Sequence, residues 1–344
     1  STAGHEFNAL MMMATIEGFN KHCRGIAGSS RFRAAGKAIE SINGMRLWSR
    51  AELVEFQLNK LNRLWAHAAD SVEYYRNLKA ELGLPDQFDS LSHYSELMPV
   101  LSKALVRDQG QLFLSSRHET GNWQRTGGST GVPTRVYWSQ AAHRNNLCLR
   151  YAWLKRYNVE TLDRHAMLWG HGGSFAPGIK GVIARTRQPV EDWIRQRQRL
   201  NAYHIGPANL DQYLDTIGRS RIQWLYGYSS AILLLANRAI ETGRQFEHVK
   251  LVIMTGEPAL PLYADRVYQA FNAPGRIEYG SVECGNIAYE SNSRKMEIQE
   301  SCRFVETVPR NDGSHDIVVT VLDNPSFPLF LCLPTISVVE DASG

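Results

Sequence analysis

The chain has 344 residues, 43% of them apolar, and carries 38 Lys and Arg against 34 Asp and Glu. That suffices for a sizeable core in one large domain or two ordinary ones, and a net charge of +4 is too mild to suggest a nucleic-acid partner. Five scattered cysteines show neither zinc-ligand spacing nor a disulfide framework, and no stretch approaches the roughly 18 apolar residues of a membrane span, so the sequence reads as soluble, cytoplasmic and without a membrane partner.

Residues 1–47 read as an N-terminal extension, partly helical, with one amphipathic helix followed by the basic stretch RFRAAGK. Residues 48–344 read as one large domain, opened by a helical lead-in over 48–120. There the spacing predicts a helix over 52–68 with Val54, Leu58, Leu61, Trp65 and Ala68 on one face. A second short helix starts at 73 and is stopped by Gly83 and Pro85. Over 121–300 the grammar changes: HAMLW (165–169), IQWLY (222–226), KLVIM (250–254) and RIEY (276–279) each run into a glycine turn. Helical patterns follow the second and third, the later one with Pro261 near its start and Tyr263, Val267, Ala270 and Phe271 on a face. Strand, glycine turn and helix in repetition predict the α/β class: layered, largely parallel sheets flanked by helices, with ligands at the carboxyl ends of the strands. Residues 301–344 read as a small β-rich end, with DIVVTVL (316–322) its clearest strand.

RTGGSTGVPTR (125–135) crowds glycines and hydroxyl residues into a run that cannot pack. Glycine lets bare N–H groups converge on an anion, and hydroxyls add donors; a flexible surface loop is the plainer reading. The run is no Walker loop, because Val132 and Pro133 follow Gly131, and the spacing does not fit a dinucleotide fingerprint. The order Thr126, Gly127, Gly128, Ser129, Thr130, Gly131, Val132, Pro133 does resemble the phosphate loop of the adenylate-forming enzymes. YGSVE (279–283), GEP (256–258) and GYSSAILLLA (227–236) match further segments of that family in order and spacing. LMPVLSKALVRD (97–108) and SVEYYRN (71–77) are similar to the branch that holds the phenylacetate–CoA ligases and the capsule-associated proteins. The resemblance covers about residues 48 to 330 and only the large N-terminal domain of such enzymes.

The resemblance implies a ligase that joins a carboxylic acid to AMP at the expense of ATP. A thiol or amine acceptor, coenzyme A or a carrier protein, would then take the acyl group, and many relatives form homodimers. On this chain it implies that Thr126, Ser129 and Thr130, with Gly127, Gly128 and Gly131, cradle the phosphates. Arg135 would partly stand in for a lysine that many relatives outside the branch carry at Thr134. Glu283 would hold Mg²⁺, and Gly256, Glu257, Pro258, Tyr279, Gly280 and Ser281 would frame the adenine. For the acid, an aromatic one being hinted at, Trp169, His171, Gly172 and Phe175 of WGHGGSF are the candidates, with a core Trp169 and a plain glycine turn as the equal alternative; Tyr226, Tyr228 and Ile287 are further candidate walls, for each of which core packing is the plainer reading. Cys284 has no basic activator nearby in sequence and reads as packing. The arginine-rich stretch 185–199 reads as a solvated face or as a contact for coenzyme A phosphates.

The resemblance lapses after LDNPSFPLF (322–330). An Arg-Tyr pair and then a Gly-Asp pair are expected; the Arg position falls at Leu331 and no Gly-Asp pair follows. The mobile C-terminal lid domain of the family, with its catalytic lysine, is not in the sequence. Losing one such charge stabiliser slows a reaction by about 10²- to 10³-fold. The expectation is a chain that is impaired as a ligase or, alternatively, a non-catalytic nucleotide- or acid-binding module of the same fold.

Overall fold

The computed structural model describes residues 35–126, 133–170, 189, 192–193, 195–203, 205–334 and 337–338. Helix α1 (35–45) lays Ile39 against Cys148 and Ala152. Helix α2 (Arg50–Ser71) begins at a capping box: the Ser49 N–H donates to the Glu52 carboxylate at 2.7 Å and the Glu52 N–H to Ser49 Oγ at 3.3 Å. Leu61, Trp65 and Ala68 of the predicted face are buried, Leu64 joins them, and Val54 and Leu58 are half-buried. Helix α3 (Glu73–Leu82) ends where Gly83 takes a left-handed φ of 64°. Two short helices follow, α4 (Leu91–Leu97) and α5 (Lys103–Asp108), each started by a serine cap at Ser90 and Ser102.

Strands β1 (Gly121–Arg125) and β2 (Arg135–Ser139) form an antiparallel hairpin, and Ser139 caps α6 (Gln140–Leu154). The main sheet then collects β3 (His165–Trp169), β4 (Arg197–Asn201), β5 (Trp224–Tyr228), β6 (Leu251–Thr255), β7 (Gly275–Ser281), β8 (Gly285–Glu290) and β9 (Met296–Ile298) in the order β4-β3-β5-β6-β7-β8-β9. The first five neighbours are parallel, and β7–β8–β9 closes the edge antiparallel. Helices α7 (Pro207–Arg219), α8 (Ser229–Glu241) and α9 (Pro261–Phe271) supply the crossovers. A third sheet, β10 (Arg303–Pro309), β11 (His315–Val321) and β12 (Ser337–Val338), is antiparallel. No described helix is long and apolar enough to cross a membrane.

Alternation along the parallel strands builds two different cores. Ala166, Leu168, Leu225, Val252 and Met254 face α7, α8 and α9. Trp224, Tyr226, Leu251 and Ile253 face the other way, onto Trp153 and Leu154 of α6. Every residue of β6 is buried, as a parallel strand covered on both sides requires. The largest core joins α2 to α5, the third sheet and the turn after β7. It is stitched by backbone bonds from Leu101 N–H to Leu331 O (3.0 Å) and from Leu333 N–H to Leu101 O (3.1 Å), while Cys332 and Val319 exchange a pair of bonds at 2.9 Å.

The chain leaves β3 for β4 on one side and leaves β5 for β6 on the other. Such a reversal opens a crevice at the carboxyl ends of the strands on either side of it, here β3 and β5. Trp169 and Tyr228 end those two strands, and the Gly256 turn follows the neighbouring β6.

Candidate active site

The glycine run joins the two strands of a hairpin. The ladder runs from Gly121↔Ser139 to Arg125↔Arg135. It is closed by Thr126 N–H to Thr134 O at 3.1 Å and by Thr134 N–H to Thr126 Oγ1 at 3.0 Å. Thr126 therefore fastens the base of the loop. The exposed Arg135 guanidinium rests on the Trp123 ring, 5.2 Å from its centroid. Gly127, Gly128, Ser129, Thr130 and Gly131 lie outside the described residues, as do His171, Gly172 and Phe175.

The turn between β7 and β8 carries the second motif. The register shifts between Tyr279 and Gly280, and a Cβ on Gly280 would lie 2.5 Å from Gly285 O, so the bulge needs a glycine there. Ser281 Oγ accepts from Cys284 N–H at 3.0 Å and tightens the turn. Tyr279 is half-buried and its hydroxyl has no hydrogen-bond partner among the described residues. Burial, and then the charge that Cys284 can carry, pushes its pKa up to about 12, so at neutral pH it offers a neutral ring. Cys284 is fully buried in the core.

Glu283 is 3% exposed, and Lys103 Nζ at the start of α5 lies 3.1 Å from its Oε1. The contact is charge to charge; Oε1 has no aligned hydrogen bond among the described residues. A buried carboxylate oxygen left in this state suits a hard divalent cation. Among the described residues no group of three or more His, Cys, Asp or Glu could hold a metal. A magnesium ion at Glu283 would draw its other ligands from substrate phosphates and water, the usual habit of that ion.

At the ends of β5 and β6 the third motif folds back. Gly256 has φ 74°, and a Cβ there would meet the Tyr228 ring at 3.0 Å, so the close approach also requires a glycine. Glu257 closes the start of α8: its carboxylate accepts from Ser230 N–H at 2.9 Å and its carbonyl from Ser229 Oγ at 3.0 Å. Gly256, Glu257 and Pro258 are exposed.

Tyr226, Trp169 and Tyr228 form a row of parallel rings, with centroids 5.6 Å and 4.2 Å apart. Trp169 and Tyr228 are half-buried at the strand ends, whereas Tyr226 is buried at 8% and Ile287 at 1% exposure. Tyr226 donates its hydroxyl to Glu278 Oε1 at 2.9 Å and lies under the Arg150 guanidinium, 4.4 Å from its ring centroid. Arg150 grips Glu278 with a two-pronged contact, Nε to Oε2 at 2.8 Å and Nη2 to Oε1 at 2.9 Å. Burial opposes the Arg150 charge, but the Glu278 carboxylate outweighs it and keeps the guanidinium firmly protonated. Ile287 packs into the largest core.

Both motif segments therefore converge on β2. Four residues after the loop closes, Trp138 Nε1 donates to Val282 O at 2.9 Å, inside the turn that carries Tyr279 and Glu283. Segments well apart in sequence are brought together at one end of the sheet. This is the fold of the adenylate-forming acyl-CoA ligases. 2-Hydroxyisobutyryl-CoA ligase in its postadenylation state with 2-HIB-AMP superposes with a TM-score of 0.67 at 17% identity, over 85% of this chain and 64% of that one. Its open conformation with 2-HIB-AMP and CoA gives 0.65 at 16%, over 83% and 69%. In sequence the chain is 21% identical to Protein CapK of Staphylococcus aureus over 290 residues, which is 83% of this chain and 62% of CapK. The chain thus spans less than two thirds of CapK. No family model matches it.

Within the adenylate-forming fold, the residues that sequence motifs left unmarked are Lys103, Trp138, Asn146, Arg150 and Glu278. Lys103 lies inside a segment noted for its resemblance, and Glu278 immediately precedes YGSVE. Asn146, Arg150 and Trp138 belong to a stretch with no glycine turn and no motif spacing.

Proposed function

We propose that this chain carries the site for ATP-dependent activation of a carboxylic acid as its acyl-adenylate, with a thiol such as coenzyme A as the onward acceptor. The observation that carries the reading is the Trp138–Val282 bond, which ties the strand leaving the glycine loop to the turn bearing Tyr279 and Glu283. The flat neutral face of Tyr279 and the exposed turn of Gly256, Glu257 and Pro258 would hold the purine, with Gly280 and Ser281 shaping the turn. The loop of Thr126, Ser129 and Thr130, with Gly127, Gly128 and Gly131, would hold the phosphates. Magnesium at Glu283 would neutralise phosphate charge, and Lys103 adds a second cation at the same carboxylate. The acid would lie against Trp169 and Tyr228, near His171, Gly172 and Phe175. The substrate carboxylate oxygen attacks the α-phosphorus, the bond to the β-phosphate bridging oxygen breaks, and pyrophosphate leaves. A thiol then attacks the acyl carbon and AMP departs. The chain's part is to align the two reactants and to hold fixed charges where charge develops.

The test is carboxylate-dependent release of pyrophosphate across a panel of acids, with calorimetric Mg·ATP binding beside it. Wild-type chain binds Mg·ATP, and Glu283→Ala weakens that binding by about tenfold or more, the loss of one charged contact. A wild type that binds no Mg·ATP defeats the proposal.

A second reading, a module that binds the nucleotide without turnover, is favoured by one position. Leu331, where the resemblance implies an arginine, is 3% exposed in the core and donates its N–H to Thr320 Oγ1 at 3.0 Å. Binding of Mg·ATP without pyrophosphate release for any acid, at high chain concentration, selects this reading.

A further inference from the structure

We infer that one turn of α6 sets the distance between the purine and metal ends of the site, with Arg150 and Asn146 as its positioning residues. The inference rests on the function just proposed and concerns how the β7–β8 hairpin is held. That hairpin carries a register shift at Tyr279/Gly280, beyond which Gly280 pairs with Asn286 and Ser281 with Gly285. Contacts from α6 brace both of its arms. Asn146 and Arg150 stand four residues apart on α6 and so share a face.

Arg150 holds the arm before the tip, through the forked contact with Glu278, next to Tyr279. Asn146 holds the arm after the tip. Its Oδ1 accepts from Asn286 N–H at 3.0 Å, and its backbone carbonyl accepts from Asn286 Nδ2 at 3.3 Å. The same Oδ1 accepts from Arg303 Nη2 at 3.1 Å, and Arg303 is bound to Asp323 at 2.6 Å with both side chains fully buried. Gly285 sits in this knot with φ 67°. A Cβ on it would lie 2.8 Å from Asn146 Oδ1, 2.9 Å from Arg303 Nη2 and 2.9 Å from the Trp138 ring. The arm after the tip therefore has no clearance to slide, and Glu283 stands two residues before it. The forked pair and the amide hold opposite arms, so they govern different parts of one ligand.

The test reads two ligands on the full chain by calorimetry: AMP without metal, and Mg·ATP. Asn146→Ala weakens Mg·ATP by about tenfold and leaves AMP unchanged, since only the metal end moves. Asn146→Asp keeps an oxygen acceptor facing Asn286 and Arg303 and restores Mg·ATP affinity. The pair Arg150→Met with Glu278→Gln, which leaves no lone buried charge, weakens AMP and Mg·ATP alike by about tenfold. Equal losses for both ligands in Asn146→Ala, or no rescue by Asn146→Asp, overturn the assignment. Should Asn146→Ala not fold, Asn146→Ser makes the same comparison, and an equal loss of both ligands there is equally fatal. If wild type binds Mg·ATP and Glu283→Ala loses it while the Asn146 variants do not, this inference fails alone. If wild type binds neither ligand, it falls together with the proposed function.

Discussion

The two faces of the parallel sheet are built on opposite principles. Under α7, α8 and α9 the interior is apolar throughout, from Leu168 and Met254 to Leu235 and Phe271. Under α6 the interior is mixed: His165 stacks on Trp224 with centroids 4.3 Å apart, and Arg150, Glu278 and Tyr226 share a buried network. An apolar face gains stability in proportion to buried area and tolerates some repacking. A face with buried ions gains little net stability but penalises any displacement of a partner. The candidate site lies at the strand ends and draws on both faces: Tyr226 and Trp169 belong to the mixed face, whereas Tyr228 packs against the apolar one.

The sharpest way to break this contrast is to hollow the apolar face. Phe271→Ala, fully buried and 5.4 Å from the Phe246 ring, is expected to lower unfolding free energy by about 3–5 kcal/mol. Below the unfolding transition its Mg·ATP affinity stays at the wild-type value. A large affinity loss in the folded variant would show that the apolar face also positions ligand.

The mixed face should respond to pH where the apolar one cannot. Burial, with Arg197 nearby, lowers the His165 titration to about 3, while an unfolded imidazole titrates near about 6.5. Between those values the unfolded chain binds a proton that the folded chain does not. Stability from this source is complete above about pH 6.5 and is lost progressively as pH falls toward about 3. Urea midpoints measured from neutral pH downward are expected to fall more steeply for wild type than for His165→Phe, which keeps the stack on Trp224. Parallel slopes for the two proteins would remove His165 as the source.

The smallest expected effect is at the start of α6. Ser139 Oγ accepts from Ala142 N–H at 3.1 Å, and Ser139→Ala is expected to cost about 1 kcal/mol of stability by thermal or urea unfolding. A null result would mean that packing of α6 holds the helix start without its cap.

The apolar face was largely legible in the sequence, because β3, β5 and β6 are largely apolar runs that meet a glycine and α8 and α9 keep a helical stripe. The mixed face was less so. Periodicity says that Tyr226 and Tyr228 share a face, but not that one lies deep on Glu278 while the other reaches the rim. Depth along a strand depends on what covers it. Likewise Asn146 and Arg150 gain their partners Asn286 and Glu278 only through the folded sheet, so no local pattern marks them. In the short hairpin β1–β2 the first strand is mostly polar and the second holds three apolar residues in a row, which hides it from any count of alternation. Of the glycine loop, the described structure holds the fastened base at Thr126 and Thr134.

The stitch at Leu101 has a consequence for how the protein is made. Both of its backbone partners, Leu331 and Leu333, lie close to the far end of the described chain. Synthesis runs from the amino terminus, so the segment leading to Lys103 leaves the ribosome long before the residues that stitch Leu101 in place. Distant pairing of this kind is slow, since the intervening chain must be ordered first. The lysine that meets Glu283 is thus among the earliest parts of the site to be translated and among the last to be seated.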